Sequence, residues 1–382
     1  MLLNDDARMI ADAAARIAEE HIAPNAVALD RGAAGSREAF LANLKRLAEN
    51  GFMAVNVPAA YGGTEAGAAA FALTVEALGR ACAATGVTVS VTNMVGEVIA
   101  AVGSEEQKET YLPRLADGTY PAGAFCLTES GAGSDPAGLK TRAEMSGNEW
   151  VLNGSKLYIT SAAYAGLFVV WAVTDPAAPK GKGISAFLVE AGTPGLVIGR
   201  EEDKLGQRGS ATNEVHFEDC RIPAGALLGP LNGGFRIAAS ELAGGRIGIA
   251  SLALGIARAA TDAAIAYVRE REQFGKPIAA MQGPQWMLAD TETELEAARL
   301  LILNAAALKD AGEPFGKAAS MAKLYASEAA QRATYVALQL HGGAGYIKDH
   351  PVERYARDVR ITTIYEGTSE IQRMIIAREI LG

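Results

Sequence analysis

The spacing of apolar residues changes period twice along this chain, and no other feature limits its fold so strongly. Up to about Tyr120 the spacing is helical. Residues 5–20 place Met9, Ile10, Ala13 and Ile17 on one face, with Pro24 expected to close the helix. Residues 37–50 repeat the pattern with Phe40, Leu41, Leu44 and Leu47, and Gly51 follows where a C-terminal glycine cap belongs. Residues 67–82 and 86–102 are apolar nearly all round, which predicts buried helices. Ser104 and Gln107 have capping-box spacing.

From 121 to 229 the segments become short, β-rich and bounded by Gly, Pro, Asn or Asp. AGAFCLT, EWVLNGSKLYIT, LFVVWAVT, ISAFLVEA and NEVHFEDCRI follow one another with no helix between them. Gly147–Asn148 and Asn153–Gly154 read as turns. This predicts an antiparallel β-domain, barrel- or sandwich-like, and excludes a Rossmann sheet. From 230 to 382 long helical patterns return at about 233–271, 284–310, 316–341, 351–360 and 369–381, broken at Gly275/Pro277, Gly312/Pro314 and Gly342–Gly343. The expected fold class is therefore α+β multidomain. An all-α N-terminal domain (1–120) precedes a central β-domain (121–229) and a C-terminal four-helix bundle (230–382).

Composition narrows the function. A net charge of −9 argues against a nucleic-acid protein. The longest apolar run, near 165–173, is far short of a membrane span. Cys82, Cys126 and Cys220 have no metal spacing and are expected to be buried and reduced, and the four histidines form no ligand pair, so no metal is expected. The first residues carry no basic or apolar leader, which points to a cytoplasmic location. Glycine is over-used, with 42 in 382 residues against a usual ~7%.

Four segments suit chemistry. In FCLTESGAGSD (125–135) a strand ends at Thr128, and Gly131 and Gly133 allow tight turns. Their N–H groups, with the Thr128 and Ser134 hydroxyls, suit a flavin edge or a phosphate, or simply form a glycine turn. QLHGGAGY (339–346) permits close approach of a ligand, or a chain reversal. In IYEGTSEIQR (364–373) Ser369 and Gln372 have capping-box spacing, and Glu366 stands just before that helix start. A partly desolvated carboxylate beside Tyr365 suits a general base, although a solvated acid has the same pattern. Arg271 in REQFGK is a phosphate partner, a salt-bridge member or a solvated helix end.

Taken in order, these segments resemble the acyl-CoA dehydrogenase family. KLGQRGSATNEVHFEDCRIP (204–223), GGRIGIASLALGIA (244–257) and REQFGKPI (271–278) extend the resemblance over essentially the whole chain. It implies FAD, an acyl-CoA thioester substrate, electron-transfer flavoprotein as acceptor and a homotetramer built as a dimer of dimers. Phe125, Leu127, Thr128, Gly133 and Ser134 match the first flavin segment, with Ser134 between cofactor and substrate. Tyr158, Ile159 and Thr160 match a second flavin segment. Arg271, Phe274, Gln282, Gln339, Leu340, Gly342 and Gly343 match residues that hold FAD across a subunit interface. Thr368, Ser369 and Glu370 match the helix start that meets the cofactor. Glu366 matches the catalytic base, and Gly367 and Arg246 match substrate neighbours.

The chain departs from the family's common pattern at Tyr158 (usually Trp), Ser130 (often Pro) and Ala243 (Asp in some relatives). Isovaleryl- and long-chain-type relatives carry their base where this chain has Gly245, so Glu366 is the matching candidate. The implied reaction is α,β-dehydrogenation to a trans-2-enoyl-CoA, with short or branched short acyl groups favoured. The alternative on the same scaffold is a flavin oxidase of acyl-CoA or nitroalkane type. No stable membrane insertion is implied.

Overall fold

The computed structural model describes residues 5–382. The first helical zone comprises α1 (Asp5–Ile17), α2 (Ala26–Asp30), α3 (Ser36–Glu49), α4 (Gly67–Ala81), α5 (Ala83–Val102) and α6 (Glu105–Ala116). Pro24 does not close the first helix. The chain stays helical through a π turn and a 3₁₀ turn whose start holds Pro24, where its missing N–H costs nothing. Of the expected face only Met9 is exposed, at 63%; Ile10, Ala13 and Ile17 pack half-buried against the core beside the buried Ala7 and Ala14. α3 ends as expected. Gly51 has φ +80, Phe52 N–H bonds Leu47 O and Gly51 N–H bonds Ala48 O, which is a Schellman stop. The Ser104–Gln107 capping box is formed at α6.

The β-domain contains β1 (Gly123–Cys126), β2 (Arg142–Ser146), β3 (Glu149–Thr160), β4 (Leu167–Val173), β5 (Ile184–Glu190), β6 (Leu196–Glu201), β7 (Thr212–Pro223) and β8 (Leu227–Leu228). Strand order is β6-β7-β3-β2-β4-β5-β8, with β1 on β4. The sheet is open, so it is no closed barrel. Most pairs are antiparallel, as expected, while β1 and β2 each run parallel to β4. β1 follows a helix rather than a hairpin, so nothing forces it to reverse. Gly147–Asn148 is the turn between β2 and β3. Asn153–Gly154 is not a turn but a bulge inside β3. Gly154 has φ +147, and a Cβ there would lie 2.7 Å from Thr141 Cα, so close approach explains the glycine.

Alternate residues of β4 face different cores. Leu167, Val169 and Trp171 pack toward the helices with Val95 and Leu112. Phe168 and Val170 pack against Trp150, Leu152 and Phe217 of the folded-over strands. This double burial explains the unbroken apolar run LFVVWAV.

The last zone has α7 (Gly234–Glu270), the small hairpin β9 (Glu272–Gln273) and β10 (Lys276–Pro277), α8 (Gln282–Asp310), α9 (Gly316–His341), α10 (Val352–Val359) and α11 (Ser369–Leu381). α7, α8 and α9 pack together, and α4 of the first zone joins them against α7 and α8. One core therefore runs from Ala7 to Val359. α5 and α7 are long and apolar enough to cross a membrane by length and composition, but 78% and 72% of those windows are buried inside the fold. They are core helices.

Candidate active site

The site forms where the segment before α11 folds back onto α7 and α9. Glu366 has φ +52, a left-handed conformation that a non-glycine residue adopts at a cost of about 1–3 kcal/mol. Three contacts hold it there. Gln372 Nε2 donates to Glu366 O (3.2 Å) and to Gly367 O (2.8 Å), and Lys323 Nζ donates to Gly367 O (2.7 Å). The expected Ser369–Gln372 capping box is not formed. Thr368 is the N-cap, accepting from Ile371 N–H, and Gln372 turns back to the two carbonyls instead.

This turn lays the Glu366 carboxylate over Gly245 of α7. A Cβ at Gly245 would lie 2.3 Å from Glu366 Oε2 and 2.7 Å from Met94 Sδ. Glu366 Oε2 is shut off from solvent and has no hydrogen-bond partner among the described residues. Burial pushes its carboxyl up to about 7, against Lys323 and then Arg246, which favour the ionised form. Lys323 is fully buried on α9, and burial brings its ammonium down to about 8 while Glu366 acts against that shift. Arg246 is 8% exposed and follows Gly245 on α7. A carboxylate poised near neutral pH, with one oxygen left without a hydrogen-bond partner among the described residues, can take a proton from a weak carbon acid.

The β-domain reaches this segment through Gln207. Its Nε2 donates to Tyr365 Oη (3.2 Å), and its backbone N–H donates to Asp358 of α10. Leu157 N–H bonds Thr128 O (2.9 Å), which sets Thr128 beside Tyr158. Tyr158 has φ +58 at the second bulge of β3 and is 62% exposed. Under these segments the buried Lys156 donates to Glu129 Oε1 (2.8 Å) and Leu127 O, while Glu129 also accepts from Lys140 and Thr141 N–H. Gly133 and Ser134 are exposed, Thr160 is half-buried and Phe125 packs on Trp171. Leu127, Ile159 and Leu340 turn their side chains into cores, so a ligand meets only their backbone.

A second group gathers at the far end of the last zone. Arg271, Phe274 and Gln282 sit at the end of α7 and the start of α8, and Gln339, Gly342 and Gly343 at the end of α9. Phe274 is 94% exposed, and a Cβ at Gly342 or Gly343 would meet nothing within 4 Å. At 1.5 Å per residue, this group lies about 27 Å along α9 from Lys323. Thr368 and Ser369 are bound into the helix start, Glu370 is exposed beside them, and Gly367 faces Gln372.

Three family models cover the chain: the acyl-CoA dehydrogenase N-terminal domain at 4–119, the middle domain at 124–220 and the C-terminal domain at 232–381. The chain belongs to the acyl-CoA dehydrogenase family. It is accordingly an oxidoreductase acting on CH–CH donors, with FAD as its cofactor. It is 47% identical to the acryloyl-CoA reductase (NADH) of Anaerotignum propionicum over 382 residues, which is 99% of this chain and 95% of the relative. A chain in the structure of the electron transferring flavoprotein of Acidaminococcus fermentans superposes with a TM-score of 0.96 at 43% identity, covering 100% of this chain and 99% of that one. Butyryl-CoA dehydrogenase from Megasphaera elsdenii superposes with a TM-score of 0.95 at 38% identity over the full length of both.

The residues present fit an FAD. The open turn at Gly131 and Gly133, where a Cβ would meet nothing, and the exposed Tyr158 ring give a flavin a bounded surface. The far group offers glycine backbone, an arginine and an aromatic ring, which suit phosphates and an adenine. Sequence reasoning missed Lys323, Gln372 and Gln207. Lys323 left one signal: it stands on the alanine face of α9, with Ala319, Ala326 and Ala330.

Proposed function

We propose that this acyl-CoA dehydrogenase oxidises short acyl-CoA thioesters to trans-2-enoyl-CoA with Glu366 as the base. The observation that carries the reading is the enclosed, unpartnered Glu366 Oε2 over Gly245. An α-proton of a thioester is weakly acidic, so its removal needs a base of raised basicity and stabilisation of the enolate-like oxygen. Desolvation supplies the first. By family analogy, the backbone N–H of Glu366 contributes to the second. The held φ of Glu366 fixes the backbone from which the carboxylate projects over Gly245, which limits reorientation at the moment of transfer. Arg246 and Lys323 keep the ionised carboxylate available between turnovers. A bound FAD would supply the acceptor for the β-hydrogen, which leaves as hydride.

Short acyl groups are favoured by the seam beyond Met94. A Cβ at Gly248 would lie 2.4 Å from Ser90 Oγ, and one at Gly86 would lie 2.6 Å from Leu252 Cδ1. α5 and α7 touch there, which leaves little room for a long chain. The names of the acryloyl- and butyryl-CoA relatives agree. Electron-transfer flavoprotein is the acceptor in this reading, supported by the likeness to a chain in such a structure. A homo-oligomer is proposed because the far group lies about 27 Å along α9 from Lys323 beside Glu366, and the family resemblance makes that oligomer a dimer of dimers. In this assembly Arg271, Phe274, Gln282 and Gln339–Gly343 serve a neighbour's cofactor.

Anaerobic mixing with butyryl-CoA should bleach the yellow enzyme, and Glu366→Gln should keep the colour but lose nearly all turnover. An initial-rate panel across straight and branched acyl-CoAs should peak at short chains. An optimum at long chains would refute the seam argument, and wild-type turnover in Glu366→Gln would move the base elsewhere.

A further inference from the structure

The base must lose each proton it takes, and Glu366 Oε2 is sealed from solvent even before substrate fills the notch. One turn before Gly245, α7 carries a second acid, Glu241, whose Oε1 is likewise enclosed and without a hydrogen-bond partner among the described residues. The neighbouring glycine marks its place. A Cβ at Gly244 would lie 2.9 Å from Lys309 Nζ, 3.7 Å from Glu97 Oε2 and 3.9 Å from Glu241 Oε1. Gly244 and Gly245 therefore open one bare stretch of α7, with Glu366 over one residue and the Glu241–Glu97–Lys309 group over the next. Lys309 of α8 donates to Glu97 of α5, and Asn56 Nδ2 donates to the other Glu97 oxygen (2.8 Å). The Lys309 and Glu97 side chains are 24% and 13% exposed, so this pair is where the stretch meets solvent.

We propose that Glu241 relays the proton that Glu366 takes from the substrate out to solvent at the Glu97–Lys309 pair. The inference rests on Glu366 being the base. Burial, then Glu97, pushes the Glu241 carboxyl well above the usual carboxylate range, with Lys309 acting against that shift and Glu366 adding to it, which favours the protonated form. A protonated carboxyl both donates and accepts, so it passes a proton without ever carrying a buried charge. In the step, Glu241 releases its own proton to water beside Glu97, and its carboxyl receives the proton of Glu366 through intervening water. One O–H bond breaks and one forms at Glu241, Glu366 returns to carboxylate, one proton leaves, and no electrons move. Glu241 acts through Glu366 and touches neither substrate nor cofactor.

The test uses FAD-loaded enzyme and butyryl-CoA deuterated at the α-carbon, in ordinary water. Two rates are read: flavin bleaching in the first turnover, and loss of α-deuterium from recovered butyryl-CoA by mass spectrometry. Glu241→Gln keeps the shape but cannot pass a proton on. Exchange and steady-state turnover should fall by on the order of 10²-fold, the low end for a lost proton-transfer group, while first-turnover bleaching falls far less. Glu241→Asp should recover part of the exchange, and Glu97→Gln should show a milder form of the same split. Wild-type exchange in Glu241→Gln would overturn the relay, and so would an equal fall of both rates, which marks a merely structural role. Glu366→Gln separates the two readings. If it still bleaches, the base assignment fails; if it is inert and Glu241→Gln exchanges normally, only the relay fails.

Discussion

Gly245→Ala is the sharpest perturbation, because it sets helix stability against catalysis at one atom. The added Cβ would lie 2.3 Å from Glu366 Oε2 and 2.7–2.8 Å from Met94 Sδ and Cε. These are far ends of flexible side chains, so both can move away and the fold survives. In the interior of α7, alanine also gains up to ~1 kcal/mol of helix propensity over glycine. The carboxylate, however, must leave the place from which it reaches substrate. A misplacement of about 1 Å at a reacting group costs on the order of 10²-fold in rate. The expected outcome is a melting temperature at or near that of wild type, with kcat/KM for butyryl-CoA about a hundredfold lower and FAD content unchanged. Gly316→Ala, where a Cβ meets nothing within 4 Å, is the matched control and should keep full activity. Steady-state kinetics and thermal melting decide it. If Gly245→Ala turns over at the wild-type rate, Glu366 does not work from above Gly245 and the site is wrongly built.

Two further outcomes follow from the charges. Only the ionised form of Glu366 is a base, so kcat/KM should rise about tenfold per pH unit below neutrality and level off above about 7. Lys323→Met removes the cation that most favours that ionised form, so the midpoint of the profile should move to higher pH. Lys156→Met would leave the Glu129 carboxylate buried without its cation, at a cost of about 3–5 kcal/mol. Denaturant melts should show that loss, and the double variant with Glu129→Gln should recover much of it.

Local signals made most of this fold legible. The helices of the last zone were expected at 233–271 and 316–341 and lie at Gly234–Glu270 and Gly316–His341, because their ends carry glycine and proline stops. The Asn153–Gly154 pair misled for a physical reason: a positive-φ glycine marks a bulge as readily as a turn, and only the partner strand decides. The motif around Glu366 singles out that residue as the proposed base, but its setting is not readable there. Gly245, Lys323 and Gln207 lie far from it along the chain, and nothing local records that they meet. Ser369 shows the same limit at short range. Its spacing to Gln372 is right for a capping box, yet Gln372 instead donates to the Glu366 and Gly367 carbonyls and holds the turn that carries Glu366.

The core that unites α1, α4, α5, α7, α8 and α9 has a consequence for how the chain is made. α4 and α5 leave the ribosome well over a hundred residues before α7, the helix that buries their apolar faces. Until then the face of α5 that α7 covers stays open, although α4, α6 and β1 can already cover other faces of this segment, which is as apolar as a membrane span. A fragment that stops before residue 232 should be insoluble, and a nascent chain stalled there should need a holding chaperone.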